Sequence, residues 1–445
     1  MQFHRTIGID LAIRGDHVAQ IFDNGRPVGR PIRFRHTAES LGTFIEAARA
    51  GLPPDVTVTA VMEPTGMSWF PVASWLARAG IAPIRVKGQR VKALRRYLSE
   101  HAKTDATDAH VLGALPSFGG PTLDPVYVPT PAQHALQRLT KQREGYQADA
   151  CAAKRRLLDL IRWACPALEV VLPDLLTRLA LALLAEWFDP HRVLAARPRT
   201  LVAFVSRKAA GNHPHSGPVV DKLVEQLRHA ARATLALHGA AVDFALLQFE
   251  VGLEIARLRL LLTQMDELEQ HIETLYAELH PTDALRTIPG VGIHLAPVLL
   301  GVLQDAGRFR SQRHARGFCG LFPTRSESGG QARPGQHLTK SGNDRLKKAL
   351  YLAADAARRV DPGLAEVYWR LMVRKGHHHK QALCAVATRL VNRIHAVLKS
   401  GRPYVLRDID GRPIDLSEGR RIVAERFSVP EEIRRARRRQ PQLAA

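Results

Sequence analysis

The feature that most constrains this chain is the placement of four carboxylates within its first quarter. Asp10 ends one apolar run with the pattern of a strand, and Glu63 ends a second such run. Asp105 and Asp108 follow, one helical turn apart, in the segment Lys-Thr-Asp-Ala-Thr-Asp-Ala over 103–109. Side chains so distant in sequence share one site only if the fold brings both strand ends and the helix together.

Gathered carboxylates predict a divalent cation. Like charges held a few Å apart raise each other's pKa unless a cation lies among them. Mg²⁺ prefers hard oxygen ligands, with Mn²⁺ as the alternative ion, and two such ions ~3.5–4 Å apart clamp the attacking and leaving oxygens of a phosphodiester. A single acid at a strand end is more often a cap or a solvated group. Only the four together predict a phosphoryl-transfer enzyme that acts on nucleic acid.

The charge balance indicates a polyanionic partner. The 445 residues include 64 Lys and Arg against 42 Asp and Glu, which gives a formal net charge of +22 and a sequence pI of about 10.5. Cationic side chains that neutralise phosphates release condensed counterions and so supply affinity that does not depend on base sequence. A basic surface that is merely solvated is the alternative interpretation.

Cysteine spacing and hydropathy exclude other classes. The four cysteines are far apart and form no Cys-x-x-Cys pair, so neither a zinc site nor a disulfide framework is indicated. No signal peptide is visible at the start, and no uncharged apolar stretch reaches the ~18 residues of a membrane span. We therefore expect a protein of the prokaryotic cytoplasm, associated with the nucleoid and without a membrane partner.

The first 130 residues predict an α/β fold. Strands are expected over 5–13, 17–22, 28–34, 56–62 and 81–86, and helices over 38–50, 68–79 and 89–101. The order βββαβαβα is that of ribonuclease H-like proteins, whose first strand lies beside the fourth in a mixed sheet. In that fold Asp10 and Glu63 face each other at neighbouring strand ends. The two later aspartates project from the next helix onto the same spot.

From residue 131 the pattern predicts long helices. One heptad seam is interrupted only by Arg143, and a second is broken once, by Glu254. The seams consist of Leu136, Leu139, Tyr146, Ala150, Ala153, Leu157 and Leu160, and of Leu247, Val251, Leu258, Leu261, Met265, Leu268, Ile272, Leu275 and Leu279. Such helices form an antiparallel hairpin within one chain or a coiled coil between chains; we expect both, and hence a dimer. Residues 165–230, between the seams, are interpreted as an irregular insertion with short helical pieces near 175–187 and 199–206.

The segment Ile-Pro-Gly-Val-Gly over 288–292 is typical of helix-hairpin-helix modules. Gly290 and Gly292 permit a tight turn that leaves backbone N–H groups free to hold a phosphate at a helix N-terminus. A plain turn between two helices accounts equally for the same residues.

A second chemical centre is predicted around Ser328. Gly329 and Gly330 allow the backbone to approach a phosphate closely while the hydroxyl stays exposed. Nearby cations would stabilise the charge of a pentacoordinate phosphorus; these are Arg325, Arg333, Lys340 and Arg345. Taken alone, a Ser-Gly-Gly loop is usually only a flexible loop, so its meaning depends on the first centre.

Together the motifs resemble a known family. They are Gly-Ile-Asp over 8–10, Glu-Pro-Thr-Gly over 63–66, the segment 103–109, Ile-Pro-Gly-Val-Gly over 288–292, Gly-Leu-Phe-Pro over 320–323, Ser-Gly-Gly over 328–330 and Lys-Ser-Gly-Asn over 340–343. In this order they are similar to the signatures of the DEDD transposases of the IS110 insertion-sequence family, which are relatives of the Piv invertase.

The resemblance implies a RuvC-like DEDD catalytic domain over 1–130, a helical coiled-coil region over 131–280 and a mainly helical transposase domain with a helix-hairpin-helix-like element over 281–405. The insertion 165–230 and a basic tail over 406–445 depart from the family pattern, because they make the chain longer than typical relatives. The Arg-rich end of that tail, 434–439, is interpreted as a flexible polyanion-binding segment. The histidines over 377–379 are expected to contact nucleic-acid backbone, because adjacent histidines do not converge on one metal ion along a helix face.

The resemblance also implies the chemistry. Asp10, Glu63, Asp105 and Asp108 would be catalytic metal ligands, and Ser328, in preference to Ser326 or Ser341, the nucleophile. Family members are recombinases guided by a bridge RNA that pairs with donor and target DNA, in tetramers where the acids of one subunit meet the serine of another. Nucleic-acid contacts are expected at Lys103, Gly290, Gly292, Arg325, Gly329, Gly330, Arg333, Lys340, Asn343 and Arg345. The alternatives are a hydrolytic RuvC-type junction endonuclease and a nucleic-acid-binding protein without catalysis.

Overall fold

The computed structural model describes residues 3–53, 56–86, 88–98, 104–118, 123, 125–175, 177–209, 217–322, 327–328, 331–332, 338–339 and 342–438. The chain divides into two compact units, residues 1–130 and residues 131–445.

The first unit contains a five-stranded sheet and four helices. Its strands are β1 (Arg5–Asp10), β2 (His17–Asp23), β3 (Arg26–Phe34), β4 (Val58–Met62) and β5 (Ala82–Arg85), and its helices are α1 (Ala38–Arg49), α2 (Trp69–Arg78), α3 (Gly88–Leu98) and α4 (Asp105–Ala114). A 3₁₀ turn, Leu115–Phe118, follows α4. The strand order is β3-β2-β1-β4-β5.

Strand β1 lies at the centre of this sheet. It pairs antiparallel with β2, where Asp10 lies opposite Val18, and parallel with β4, where Ile9 lies opposite Met62. Ile7 and Ile9 are fully buried, as expected for a central strand covered on both faces. The predicted mixed sheet, with the first strand beside the fourth, is confirmed.

Helix α4 packs directly on the backbone of β1 because residue 8 is a glycine. A Cβ atom at Gly8 would lie 2.0 Å from the carbonyl oxygen of Ala109 and 2.2 Å from the amide nitrogen of Gly113. At the far end of the helix, the Ser117 hydroxyl lies 2.8 Å from where a Cβ of Gly25 would be, and Gly25 is in the turn beside the start of β1. Helix α4 therefore runs opposite to β1, with its first turn toward the carboxyl end of that strand.

The second unit is mainly helical in its described residues. In chain order its helices are α5 (Pro131–Ala164), α6 (Ala167–Val171), α7 (Arg178–Trp187), α8 (Pro190–Ala195), α9 (Pro198–Ala209), α10 (Gly217–His238), α11 (Phe244–Leu279), α12 (Leu295–Leu303), α13 (Gln312–Cys319), α14 (Asp344–Ala357), α15 (Pro362–Trp369), α16 (His379–Ser400), α17 (Leu416–Arg426) and α18 (Glu431–Arg438). Two short strands, β6 (Glu327–Ser328) and β7 (Gln331–Ala332), pair antiparallel. Among the described residues we find no helix with the length and apolar character of a membrane span.

The long helices α5 and α11 lie side by side within one chain. Arg143 pairs with Glu269, and Arg156 pairs with Glu254 at 2.8 Å, so the two helices run antiparallel. Arg143 and Glu254 are the residues that interrupt the two apolar seams. Each interruption is thus satisfied by an ion pair across the helix pair, which leaves the apolar contacts on either side intact.

The predicted helical pieces near 175–187 and 199–206 correspond to α7 and α9, but the interpretation of the rest of 165–230 as irregular is wrong. Helices α6 to α10 form a compact cluster whose core is shared with the adjoining ends of α5 and α11. Leu181, Leu183 and Leu184 of α7 are buried in it. We call residues 167–243 the helical insert.

The C-terminal part of the chain forms another core around α12, α14 and α16. Gly290 fits against this core because a Cβ atom there would lie 2.3 Å from the carbonyl oxygen of Ala353, and its φ of +84° favours glycine. The expectation of a flexible basic tail is wrong through residue 438. Ile422 and Val429 are buried, and the Arg437 guanidinium donates to the carbonyl of Gly376. Residues 439–445 lie outside the described part of the chain.

Candidate active site

Two of the four predicted acids lie at the carboxyl ends of the neighbouring strands β1 and β4. Ile9 and Met62 are partners in the parallel pairing of β1 and β4, so Asp10 and Glu63 occupy the next position on each strand. Both are half-buried. The Glu63 carboxylate lies against Gly88 at the start of α3, where a Cβ atom would be 2.3 Å from its Oε1. Strand register thus places these two acids as the sequence predicted.

The other two acids lie in the first turn of α4. Thr104 is the N-cap, and its hydroxyl accepts a hydrogen bond of 3.1 Å from the backbone N–H of Thr107. Asp105 is exposed, whereas Asp108 is half-buried. Because α4 runs opposite to β1, this turn approaches the sheet edge that carries Asp10. Negative charge is also favoured here by the helix dipole, so the local fold explains both acids without a cation.

Arg95 of α3 is a residue that the motif analysis missed. Its Nη1 donates to both carboxylate oxygens of Asp108, at 2.7 and 3.0 Å, and the two side chains are only 21% and 15% exposed. The pair fixes α3 against α4 and occupies one of the four predicted ligands. Sequence gave no signal for it, because Arg95 is one of several cations in a basic helix.

The four acids have suitable ligand chemistry for a divalent metal ion, but their side chains are not arranged to hold one. Carboxylate oxygens are the ligands that Mg²⁺ or Mn²⁺ prefers, so the chemistry of the four residues fits. Within the described residues, which include all four acids, no group of three or more His, Cys, Asp or Glu side chains is placed to hold an ion. The elements converge, but the side chains do not close on one point, and Asp108 pairs with Arg95 instead.

His17, the first residue of β2, supports the backbone just beyond Asp10. Its Nδ1 accepts the N–H of Ala12 at 3.0 Å, and its Nε2 lies 2.8 Å from Nδ1 of His36. Burial, with a smaller contribution from the neighbouring His36, lowers the pKa of His17 to about 4. The ring is therefore neutral near pH 7 and acts as a hydrogen-bond acceptor that holds the turn after β1.

Ser328 ends β6, opposite Gln331 of β7. Its backbone is therefore in a short antiparallel pair. Several predicted site residues lie outside the described part of the chain, namely Lys103, Arg325, Gly329, Gly330, Arg333 and Lys340, as do Ser326 and Ser341.

The remaining predicted nucleic-acid contacts have roles within the second unit. Asn343 is the N-cap of α14 and accepts from the N–H of Leu346 at 3.1 Å. Arg345 donates to both carboxylate oxygens of Glu144, at 2.8 and 3.1 Å, and to the Thr140 hydroxyl. These bonds join α14 to α5. By contrast, Gly292 is exposed, just before α12.

The histidines over 377–379 have local partners as well. His378 caps α16, with its ring accepting from the N–H of Lys380 and its own N–H donating to the Gln381 side chain. The His379 ring lies 2.7 Å from the Tyr368 hydroxyl. Both contacts stabilise the start of α16.

Comparison with known proteins gives matches at both ends of the chain. A family model for DEDD transposases of IS110 matches residues 7–166, and the model of the transposase IS116/IS110/IS902 family matches residues 282–369. A 43.6 kDa protein of insertion element IS110 from Streptomyces coelicolor is 29% identical over 329 residues, which cover 73% of this chain and 78% of that protein.

Two further relatives extend the comparison. A 44.8 kDa protein of insertion element IS116 from Streptomyces clavuligerus is 24% identical over 400 residues, 89% of this chain and 95% of that protein. The pilin gene-inverting protein of Moraxella bovis is 28% identical over 144 residues, 32% of this chain and 45% of that protein.

The mixed sheet with acids at its edge, and the matches at both ends, define the class of protein as a DNA transposase or recombinase. The chain belongs to the IS110 family of transposases. DNA is accordingly its partner.

Proposed function

We propose that this protein cuts and rejoins insertion-element DNA in a metal-dependent reaction that uses Ser328 as nucleophile and a bridge RNA as guide. The observation that carries the proposal is the convergence of β1, β4 and the first turn of α4, each bearing an acid, in a chain that belongs to this family. The strand order β3-β2-β1-β4-β5 supports a RuvC-like architecture for the first unit. The net charge of +22 supports binding of both nucleic acids.

In this mechanism Asp10, Glu63, Asp105 and Asp108 hold the cation. When bound, Mg²⁺ would polarise the scissile phosphodiester and favour the nucleophilic form of a nearby hydroxyl. Asp108 must exchange its Arg95 partner for the ion. Glu63 is held against Gly88, which fixes its approach to the site.

Ser328 would then exchange one phosphoester for another. Its Oγ forms a bond to phosphorus as the bridging DNA oxygen departs and takes up a proton, while the serine proton passes to solvent. The resulting phosphoserine linkage preserves a phosphodiester, so the reverse attack by a DNA hydroxyl rejoins strands without an external energy source.

The test is a covalent adduct. Purified protein is incubated with bridge RNA, labelled element ends and Mg²⁺, then resolved on a denaturing gel. We expect a protein-bound DNA band that Ser328→Ala abolishes and that the matched variants Ser326→Ala and Ser341→Ala retain. Cleavage without an adduct would instead indicate a hydrolytic junction nuclease. Absence of cleavage by the wild type would indicate a nucleic-acid-binding protein without catalysis.

We also propose that the chain assembles through α11 as a dimer, and that two such dimers form a tetramer. Leu246, Phe249, Leu253 and Leu260 are each 55–62% exposed and follow a three- and seven-residue spacing along α11. An exposed seam of this kind is typical of helices that pair between chains. Sedimentation of Phe249→Glu/Leu253→Glu should show a smaller species than the wild type, whereas an unchanged mass would remove α11 as the interface.

A further inference from the structure

The helical insert carries a cavity whose position falls outside both family models. Those models match residues 7–166 and 282–369. The cavity lies where α7 and α9 of the insert pack beside α11, and its volume is about 360 Å³. Its lining residues include none of the four acids and no residue near Ser328 in sequence.

The rim of this cavity is cationic, and its floor is apolar. Arg178 comes from α7, Lys208 from the last turn of α9 and Arg259 from α11. Leu181, Ala182 and Leu262 complete the lining. Three separate helices thus each direct one cationic residue to the same cavity.

These three cations differ from other basic residues on the same bundle. Arg156 pairs with Glu254, and Arg162 pairs with Glu169 at 2.8 Å. In the described part of the chain, none of the three rim cations forms an ion pair, although all three side chains are exposed. Like charges gathered without acids repel one another, so their arrangement is stabilised when an anion binds among them.

The start of α7 adds to the positive potential. Arg178 is the first residue of this ten-residue helix, and the Thr177 hydroxyl caps it by accepting from the N–H of Ala180 at 3.1 Å. The first turn of a helix carries partial positive charge from its unpaired amide groups. That charge lies on the same rim as the Arg178 side chain.

We propose that this α7–α9–α11 pocket binds backbone phosphate of a nucleic acid, with the sugar or base edge against the apolar floor. The ligand class is a phosphodiester chain, which RNA and DNA both supply. The inference uses the family's action on nucleic acid to choose this class, but it needs neither the metal nor the serine of the proposed reaction. The pocket gives the insert a function as an additional anchoring site for the RNA or the DNA.

The test compares two charge-matched triple variants of the full chain. In the pocket variant, Arg178, Lys208 and Arg259 are each changed to Gln. In the control, the same change is made at Arg197, Arg199 and Arg232, three exposed arginines of the insert that do not line the cavity. Binding of a labelled duplex DNA and of a labelled structured RNA is measured by fluorescence anisotropy over a salt series, and melting temperatures check the fold.

We expect the pocket variant to lose about 10-fold or more in affinity for one of the two polymers, and the slope of log K against log[salt] to fall by about 2–3. The control should change less. The polymer that shows the loss is the one the pocket holds. Equal losses of affinity in both variants would show that the pocket contributes only general surface charge. Unchanged affinity in the pocket variant would contradict the proposal. Stabilisation by inorganic phosphate alone, with polymer binding unaltered, would also contradict it.

A measurement on the unmodified chain checks the same site. Lysine acetylation followed by mass spectrometry should show Lys208 protected when the polymer is bound, whereas Lys222, exposed on α10, should react equally with and without it. Equal reactivity of Lys208 in both states would contradict the proposal. These experiments measure binding and do not require strand cleavage, so failure of the pocket and failure of the serine mechanism give different results.

Discussion

The two units position their predicted site residues in different ways. In the first unit, acids distant in sequence are brought to one sheet edge by strand register and by a helix packed on Gly8. In the second, Gly290 and Arg345, predicted to contact nucleic acid, pack or bond one helical segment against another, and Asn343 caps α14. The position of an acid in the fold can therefore be predicted when the acid ends a regular element. A cation or glycine in a motif is consistent with ligand contact and with packing, so the motif alone does not show which role the residue has.

The largest expected effects come from the two glycines that permit close packing. Gly8→Ala would force α4 away from β1, and Gly290→Ala would force its turn away from α14, because the added Cβ atoms meet backbone at 2.0 and 2.3 Å. Each should lower the free energy of unfolding by at least about 3 kcal/mol, measured by urea denaturation. Gly8→Ala should also abolish strand cleavage. Gly42→Ala and Gly145→Ala, in open helical positions, are controls that should be neutral or stabilising by about 0.5–1 kcal/mol.

The next effect sharpens the role of Arg345. Arg345→Met removes a partly buried ion pair with Glu144 and a bond to Thr140, which should cost about 2–3 kcal/mol of stability. Lys348→Met, at an exposed position of the same helix, should cost little. Thermal melting and DNA anisotropy are measured together. An unchanged melting temperature with weakened DNA binding would contradict the structural role of Arg345 and indicate that it contacts phosphate.

A pH series tests the support behind Asp10. The pKa of His17 is about 4 in the folded chain, below its ordinary value of ~6.5, so the unfolded chain takes up this proton first. The stabilisation of the folded chain by neutral His17 is complete above pH ~6.5 and is lost as the pH falls toward 4. We expect about 1–2 kcal/mol less stability at pH 5 than at pH 7 from this group. His17→Asn, which retains an acceptor near the Ala12 amide, should flatten that part of the profile; an identical slope in both proteins would argue against it.

The smallest expected effect concerns the proposed cation site. Arg95→Met frees the Asp108 carboxylate, so Mn²⁺ should bind a few-fold more tightly, by about 1 kcal/mol, in isothermal titration calorimetry. Arg96→Met removes the same charge from an exposed neighbour and is the matched control. Weaker binding in Arg95→Met than in the control would show that the ion pair organises the site and does not compete with the cation.

Much of the fold could be predicted because its signals are periodic. Alternating apolar residues gave the strands around Asp10 and Glu63, and heptads gave α5 and α11, with the interruptions at Arg143 and Glu254 satisfied across the pair. Two helices of the insert, α7 and α9, were predicted as short pieces, but their packing into one core was not, because its contacts join residues far apart in sequence. Arg95 and His17 were missed because their importance lies in partners 13 and 19 residues away, Asp108 and His36, which no local pattern reveals.

The length of the antiparallel pair of α5 and α11 sets the distance between the two cores of the second unit. Helices of 34 and 36 residues extend about 50 Å at ~1.5 Å per residue, with the core of the insert at one end and the C-terminal core at the other. This distance equals roughly 15 steps of a double helix at ~3.4 Å each. A polymer bound to both cores at once would therefore have to span about this distance.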